Sequence, residues 1–381
     1  MPIRRIKQRF DLAREQKASL ESIKKDLAKI RAKFPYLVLT PKPTGMNYRG
    51  IFNATLGLFG EACLEIPQYY SNSLLSDKQN LDWIMLLAEL EFEQVIASGT
   101  HPYFMDILHE YKHVSAKPTG AIFHGALTEL ADDHHKLASF NKFSNLVSEG
   151  VIDKVGFVKK GLAETFAGLK NVRCYPLYLK TKLPSETLPT KPSREYPIIA
   201  VPGVSNFNKN IHNQVAAALL VKNSKVFVWG NEQDFKIWNA GDRIVYQNHS
   251  GHAEFLKVLS QCDATMYLSF SESWGQIITE SLALGIPCLC SDTNPILDTN
   301  PALKEFLTIS ANDNPFLISQ RLEQVLEKGE AWKTEMKNQV VFLNQLAEEK
   351  KEAFIQDLNS SNFHILPPSK TTATGKLNPF K

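Results

Sequence analysis

Residues Ser269–Pro287 read Ser-Phe-Ser-Glu-Ser-Trp-Gly-Gln-Ile-Ile-Thr-Glu-Ser-Leu-Ala-Leu-Gly-Ile-Pro. A strand-like run, Ala264–Ser269, leads in, an acid and a glycine mark a turn, and an apolar helix begins near Gln276. The backbone N–H groups at such a helix start have no partners within the helix, and together with the helix dipole they favour a phosphate. Gly275 lets a ligand approach the backbone closely. Glu272 stands just before the turn, where a carboxylate can accept hydrogen bonds from sugar hydroxyls. Glu280 lies one turn into the helix among apolar and small neighbours. A carboxylate buried there needs a partner, and a ribose diol would supply one. Two glutamates eight residues apart are commonplace; the surrounding strand, turn, helix and Gly285-Ile286-Pro287 make this pair informative.

Outward from that stretch, short apolar runs alternate with helical segments. After it comes a strand, Cys288–Ser291, then mostly helix from Asn314 to about Leu358 and a Pro/Thr-containing tail. Before it lie strand Ile198–Val201, helix Ile211–Val221, strands Val226–Trp229 and Arg243–Tyr246, and helix Ala253–Leu259. Leu183–Pro197 holds four prolines and reads as a linker. Upstream of it a second alternating series contains strand Tyr36–Thr40, a Pro/Gly loop through Gly45, a helix over Ile51–Ile66, helix Leu81–Glu93, strand Gln94–Ala97, helix Phe104–Tyr111 and strand Thr119–Phe123, which ends at His124-Gly125. Strands Lys154–Val158 and Val172–Tyr175 close it. The pattern predicts two doubly wound, Rossmann-like α/β domains facing a central cleft, with ligands beyond the carboxyl ends of the strands. The expected division is a basic amphipathic helix over 1–34, domains over 35–182 and 198–345 joined by the linker 183–197, and a C-terminal helix and tail over 346–381.

The 381 residues suit two cores better than one, and 43% hydrophobic with 22% charged residues is a globular composition. No run of about 18 apolar residues suggests a membrane span. The basic start, Met1-Pro-Ile-Arg-Arg-Ile, is followed by no apolar signal segment. Five cysteines without framework spacing fit a reducing compartment, so a cytoplasmic setting is expected. The net charge of +3 is uneven: residues 1–34 hold eleven Lys/Arg against four acids, a net +7 that leaves −4 elsewhere. Ile6, Ala13, Leu20, Leu27 and Phe34 recur every seven residues there, with a basic opposite face. That helix could pack on its own domain, form a homodimer seam, or meet an anionic surface such as membrane headgroups or DNA phosphate.

Asp242–Pro295 resembles the C-terminal half of family-4-type retaining glycosyltransferases of the GT-B superfamily. The matching residues are Glu272-Ser273-Trp274-Gly275 and Glu280-Ser281-Leu282-Ala283-Leu284-Gly285-Ile286-Pro287. The resemblance implies a GT-B fold and a nucleotide-diphosphate sugar as donor, with no further cofactor and no metal. It implies that Glu272 contacts the donor sugar, that Glu280 holds the ribose, and that the backbone from Trp274 to Gln276 faces the sugar and diphosphate. Lys225–Gly230 resembles the strand ending in glycine, and Arg243–Asn248, with Tyr246, the segment beside the base. The loop after Gly203 usually carries an arginine and then a lysine that neutralise the leaving diphosphate. Lys209 stands at the lysine position and Val204 at the arginine position, so another residue is needed there, with Arg49 and Lys42 as candidates. Gly45 resembles the glycine loop that approaches the diphosphate, and His124 the histidine near the transferred sugar. His134-His135 beside Asp132-Asp133 reads as a polar helix face and not as a metal site.

The expected activity is sugar transfer with retention, catalysed with the help of Glu272, Lys209 and His124, to a glycan or lipid-linked glycan, at the inner membrane face if the basic helix binds headgroups. Transfer to modified bases of DNA is a second reading. A non-catalytic protein that binds nucleotide sugar or nucleic acid on a GT-B scaffold is a third.

Overall fold

The computed structural model describes residues 21–43, 49–67, 77–170, 172–182, 188–189, 191–203, 207–248 and 251–356. Among these residues the strands form two sheets. The first holds β1 (Tyr36–Lys42), β2 (Cys63–Pro67), β3 (Gln94–Ser98), β4 (Thr119–Phe123), β5 (Lys154–Phe157) and β6 (Arg173–Pro176), in the order β2-β1-β3-β4-β5-β6. The second holds β7 (Ile198–Val201), β8 (Lys225–Trp229), β9 (Ile244–Gln247), β10 (Ala264–Tyr267) and β11 (Cys288–Cys290), in the order β11-β10-β7-β8-β9. Every pairing is parallel. Parallel strands need crossovers and are covered on both faces, which is why β3, β4, β5, β7, β10 and β11 are buried at every position.

Helices α1 (21–31), α2 (Arg49–Phe59), α3 (Asp77–Glu89), α4 (Pro102–Ser115), α5 (Glu129–Asp132), α6 (His134–Ser148) and α7 (Leu162–Lys170) accompany the first sheet. The second carries α8 (Ile211–Leu220), α9 (Glu232–Phe235), α10 (His252–Leu259), α11 (Gln276–Leu284), α12 (Pro301–Leu307), α13 (Pro315–Lys328) and α14 (Lys333–Gln356). Local chemistry sets many of the ends. His101 caps α4 ahead of Pro102, and Asn300 and Asn314 cap α12 and α13 ahead of Pro301 and Pro315. Asp133 caps α6 by accepting from the N–H groups of His135 and Lys136. This gives Asp133 a structural role beside the histidine pair.

Three expectations change. Ile51–Ile66 is not one helix: Gly60, at φ +56°, ends α2, and Cys63–Pro67 becomes edge strand β2 beside β1. The division at 345/346 falls inside α14, a single helix that leaves the second domain and crosses to the first. The amphipathic stripe of α1 is not left open for a dimer: Ile23, Leu27 and Ile30 are buried in the first domain's core. Burial of three such side chains contributes roughly 5 kcal/mol in place of any dimer seam at these residues. Residues 1–20 lie outside the described ones.

The crossing of α14 joins the two cores. Met336, Val340 and Leu343 pack with the second domain, while Ala347 and Phe354 extend the same cluster to Ile122, Val158 and Leu177 of the first. Asn344 clamps the crossing, its Oδ1 accepting from Thr181 N at 2.8 Å and its Nδ2 donating to Thr181 O at 3.0 Å.

Candidate active site

In the second sheet the chain reverses direction between β7 and β10, and the loops after these strands open side by side. Such a switch point leaves a crevice at the carboxyl ends of the strands. Gly203, just beyond β7, has φ +140°, and a Cβ there would meet Ile211 Cδ1 at 3.0 Å. Lys209 and Asn210 close that loop; Glu272 sits in the loop after β10. Gln214 of α8, 1% exposed, ties the loops together by donating to Lys209 O at 2.7 Å and accepting from Leu268 N at 3.0 Å. Asn208 Nδ2 donates to Ser271 O at 2.9 Å, and Phe270 N to Asn208 O at 2.9 Å.

These ties bring Lys209 Nζ to 2.5 Å from Glu272 Oε2 and 2.9 Å from Tyr267 Oη. Tyr267 Oη in turn donates to the same carboxylate oxygen at 2.8 Å. Burial works against the charge on Lys209, yet Tyr267 and Glu272 outweigh it and raise the pKa. For Tyr267, burial first and the Glu272 charge second push the phenol up, so it stays protonated and can donate. Ser273 N donates to Glu272 Oε1 at 3.3 Å.

The turn between Glu272 and α11 requires glycine. Gly275 has φ +82°, and a Cβ there would lie 2.9 Å from Ile278 Cδ1 and 3.4 Å from Glu272 Cγ. Gln276 opens the helix and is half-buried; Ser273 is half-buried as well. The Trp274 side chain turns inward, 1% exposed, with its ring edge-on to Tyr178 at 5.2 Å, so only its backbone can face a ligand. Glu280, 8% exposed, already has a protein partner: His252 Nε2, at the first residue of α10, lies 2.7 Å from its Oε1. The hydrogen bond to Glu280 raises the His252 pKa, while burial and the positive charge of Arg49 oppose the rise. Arg49 begins α2 of the first domain, so the charge of that domain's wall is felt at His252. Tyr246 lies exposed on β9, beside Phe235 at 6.2 Å.

The first domain supplies the facing wall. Lys159, in the loop after β5, donates across to Glu272 O at 2.7 Å and to Thr293 O at 2.5 Å. Its neighbour Lys160 pairs with Asp298 at 2.6 Å, and Lys304 joins Asp298 to Asp292 at 2.8 Å each. His124, after β4, is partly accessible; burial pushes its pKa down to about 4, so the imidazole is neutral. Lys42 lines a groove beside α1 and β2 with Lys33 and Glu61. Gly45 and Val204 lie outside the described residues. Among the described residues no group of three or more His, Cys, Asp or Glu side chains could hold a metal ion, and no helix is long and apolar enough to cross a membrane.

The structure thus brings together Lys209, Glu272, Gly275 and Gln276 in one crevice, with Glu280 a turn beyond. The reading of motifs missed Tyr267, Gln214, His252 and Lys159. Tyr267 lies in the strand leading into the motif and so had a weak signal; His252 and Lys159 reach the site from 28 and 113 residues away from their partners.

The model of the family described as glycosyl transferases group 1 matches residues 187–340. The match spans the whole of the second sheet and ends within α14. Solved structures similar to the chain carry the GT-B fold over both halves. Sucrose-phosphate synthase from Thermosynechococcus elongatus is 12% identical, with a TM-score of 0.61 over 85% of this chain and 99% of its own. Anabaena HepE in complex with UDP and glucose is 10% identical, with a TM-score of 0.58 over 83% of this chain and 98% of its own. The lipopolysaccharide outer core galactosyltransferase WaaB is 13% identical, with a TM-score of 0.54 over 84% and 99%. No curated protein sequence matches the chain. The likeness to GT-B structures therefore extends over both domains in fold, and the match to the family model falls in the second.

Proposed function

We propose that this glycosyltransferase binds a nucleotide-diphosphate sugar in the cleft and transfers the sugar, with retention of configuration and without a metal, to a glycan or lipid-linked glycan. The observation that carries the reading is the meeting of Lys209 and Glu272, from the two loops at the switch point, beside the N-terminus of α11. That HepE was solved with UDP and glucose supports the donor class.

In this reading the diphosphate lies against the N–H groups at Gly275 and Gln276 and draws Lys209 towards it, leaving Glu272 to accept hydrogen bonds from the sugar. Glu280 exchanges His252 for the ribose diol. Arg49, facing His252 from the first domain, takes the place of the arginine expected at position 204. The bond from the anomeric carbon to the diphosphate breaks, a bond to the acceptor hydroxyl forms on the same face, and the hydroxyl proton passes to the leaving phosphate oxygen. His124, neutral and weakly basic, orients a hydroxyl and does not remove a proton. The setting expected for this reaction is the cytoplasm.

A thermal-shift screen against nucleoside diphosphates and sugar nucleotides tests this. A ligand at about a hundred times its Kd should stabilise the protein by about 2.7 kcal/mol. Glu280→Ala should abolish the shift. No shift with any sugar nucleotide, or an unchanged one in the variant, would sink the assignment.

A further inference from the structure

Behind His124 stands a chain of hydroxyls whose direction can be deduced. Thr55 lies on α2 and Ser98 ends β3; both are buried. Thr55 Oγ1 is 2.7 Å from Ile51 O, and a carbonyl oxygen only accepts, so Thr55 donates there. Ser98 Oγ lies 2.6 Å from Thr55 Oγ1. With the single Thr55 proton committed to Ile51 O, Ser98 must donate to Thr55. Ser98 then has no proton for His124 Nε2, 2.8 Å away, and that contact needs one from the ring. Nε2 therefore carries the hydrogen. A neutral imidazole has a single N–H, so Nδ1 keeps its lone pair, and Nδ1 has no hydrogen-bond partner among the described residues.

We infer that Thr55 and Ser98 are positioning residues that hold His124 in the Nε2–H tautomer, so that Nδ1 meets the cleft as an acceptor for a ligand hydroxyl and disfavours an anionic oxygen. Burial keeps the ring neutral, pushing its pKa to about 4, in accord with this geometry. That the hydroxyl belongs to a sugar rests on the donor-site reading above; the tautomer does not. The arrangement selects for ligand chemistry because a buried acceptor facing a phosphate or carboxylate would leave both unpaired. Side chains behind a functional imidazole set its tautomer in this way wherever one ring nitrogen is held by a partner of fixed polarity.

The test uses the full chain, unliganded and labelled with 15N-histidine, in a two-bond 1H–15N correlation spectrum near neutral pH, with His124→Gln to assign the signal. The wild type should show His124 protonated at Nε2. Thr55→Val removes the hydroxyl that Ser98 donates to; the Ser98 proton then turns to Nε2, and the ring should switch to the Nδ1–H form. Thr55→Ser should keep the wild-type pattern. A wild-type signal from the Nδ1–H tautomer would overturn the inference, as would a folded Thr55→Val protein with an unchanged one. Should that variant not fold, Ser98→Ala decides: loss of the single tautomer supports the inference, and its persistence overturns it. Because the spectrum is taken without ligand, its failure is distinct from failure of the thermal-shift screen.

Discussion

Lys209 and Glu272 satisfy each other with Tyr267 as the third member, so the crevice holds its own counter-charge before any diphosphate arrives. That arrangement stores the two groups in place at little electrostatic cost, since each buried charge is paired. These two residues, with Gly275 and Glu280, were legible in the sequence because strand, turn and helix follow one another without a break. His252 and Lys159 were not, because each reaches the site through tertiary folding alone and neither stands in a local pattern. His124 was legible as a strand-end histidine but not in its chemistry, which depends on burial and on Ser98. Its depressed pKa has a consequence for stability. The unfolded chain binds a proton with a pKa near 6.5, the native protein only near 4, so acid favours unfolding between these values. Relative to His124→Gln, the wild type should lose about 3 kcal/mol as the pH falls from 6.5 to 4. Denaturant titrations at several pH values check this, and parallel curves for the two proteins would refute it.

Among the elements, α11 was the most plainly written: Gly275 and Gly285, at φ +82° and +75°, stop it at both ends. The strand β2 was hidden because the apolar run Ile51–Ile66 has no Pro, and only the left-handed turn at Gly60 divides helix from strand. The course of α14 was hidden for a different reason. Its partner is Lys154, a fully buried lysine at the start of β5, and nothing in a local pattern says what neutralises it. The folded protein answers this with the carboxyl end of α14. Lys154 Nζ donates to Phe354 O and, at 3.4 Å, to Ile355 O, and lies 4.6 Å from the Phe354 ring centroid. Gln94 Nε2 donates to Ile355 O as well, at 3.1 Å. Cations suit the negative end of a helix, and the ring adds to the attraction. Lys154→Ala removes the cation and leaves a cavity, so it should destabilise the protein by about 3 kcal/mol and expose the end of α14. Amide hydrogen exchange should show faster exchange over 345–356; protection equal to the wild type would refute the role.

At the scale of the whole molecule, the alternation of apolar runs was enough to predict two parallel sheets, because a parallel pair demands a crossover each time. The contacts between the domains could not be read this way, since they pair residues remote in sequence. On one side of the cleft the Lys159-Lys160 loop grips the carbonyls of Glu272 and Thr293 and the carboxylate of Asp298. Replacing both lysines with alanine should cost about 2 kcal/mol, most of it from the Lys159 hydrogen bonds, because the exposed Lys160 pair contributes little. Small-angle scattering should then report a larger radius of gyration; an unchanged one would show that the loop does not hold the domains together. The clamp of Asn344 on Thr181 has a consequence of its own. The chain passes between the domains at Thr181 and again along α14, and the clamp fastens the two passages side by side. A body held along one short seam can swing about it but can hardly slide, so opening the cleft has in effect a single coordinate. Parts close to that axis, such as Thr279, whose hydroxyl accepts from Thr181 Oγ1 at 2.6 Å, stay nearly still.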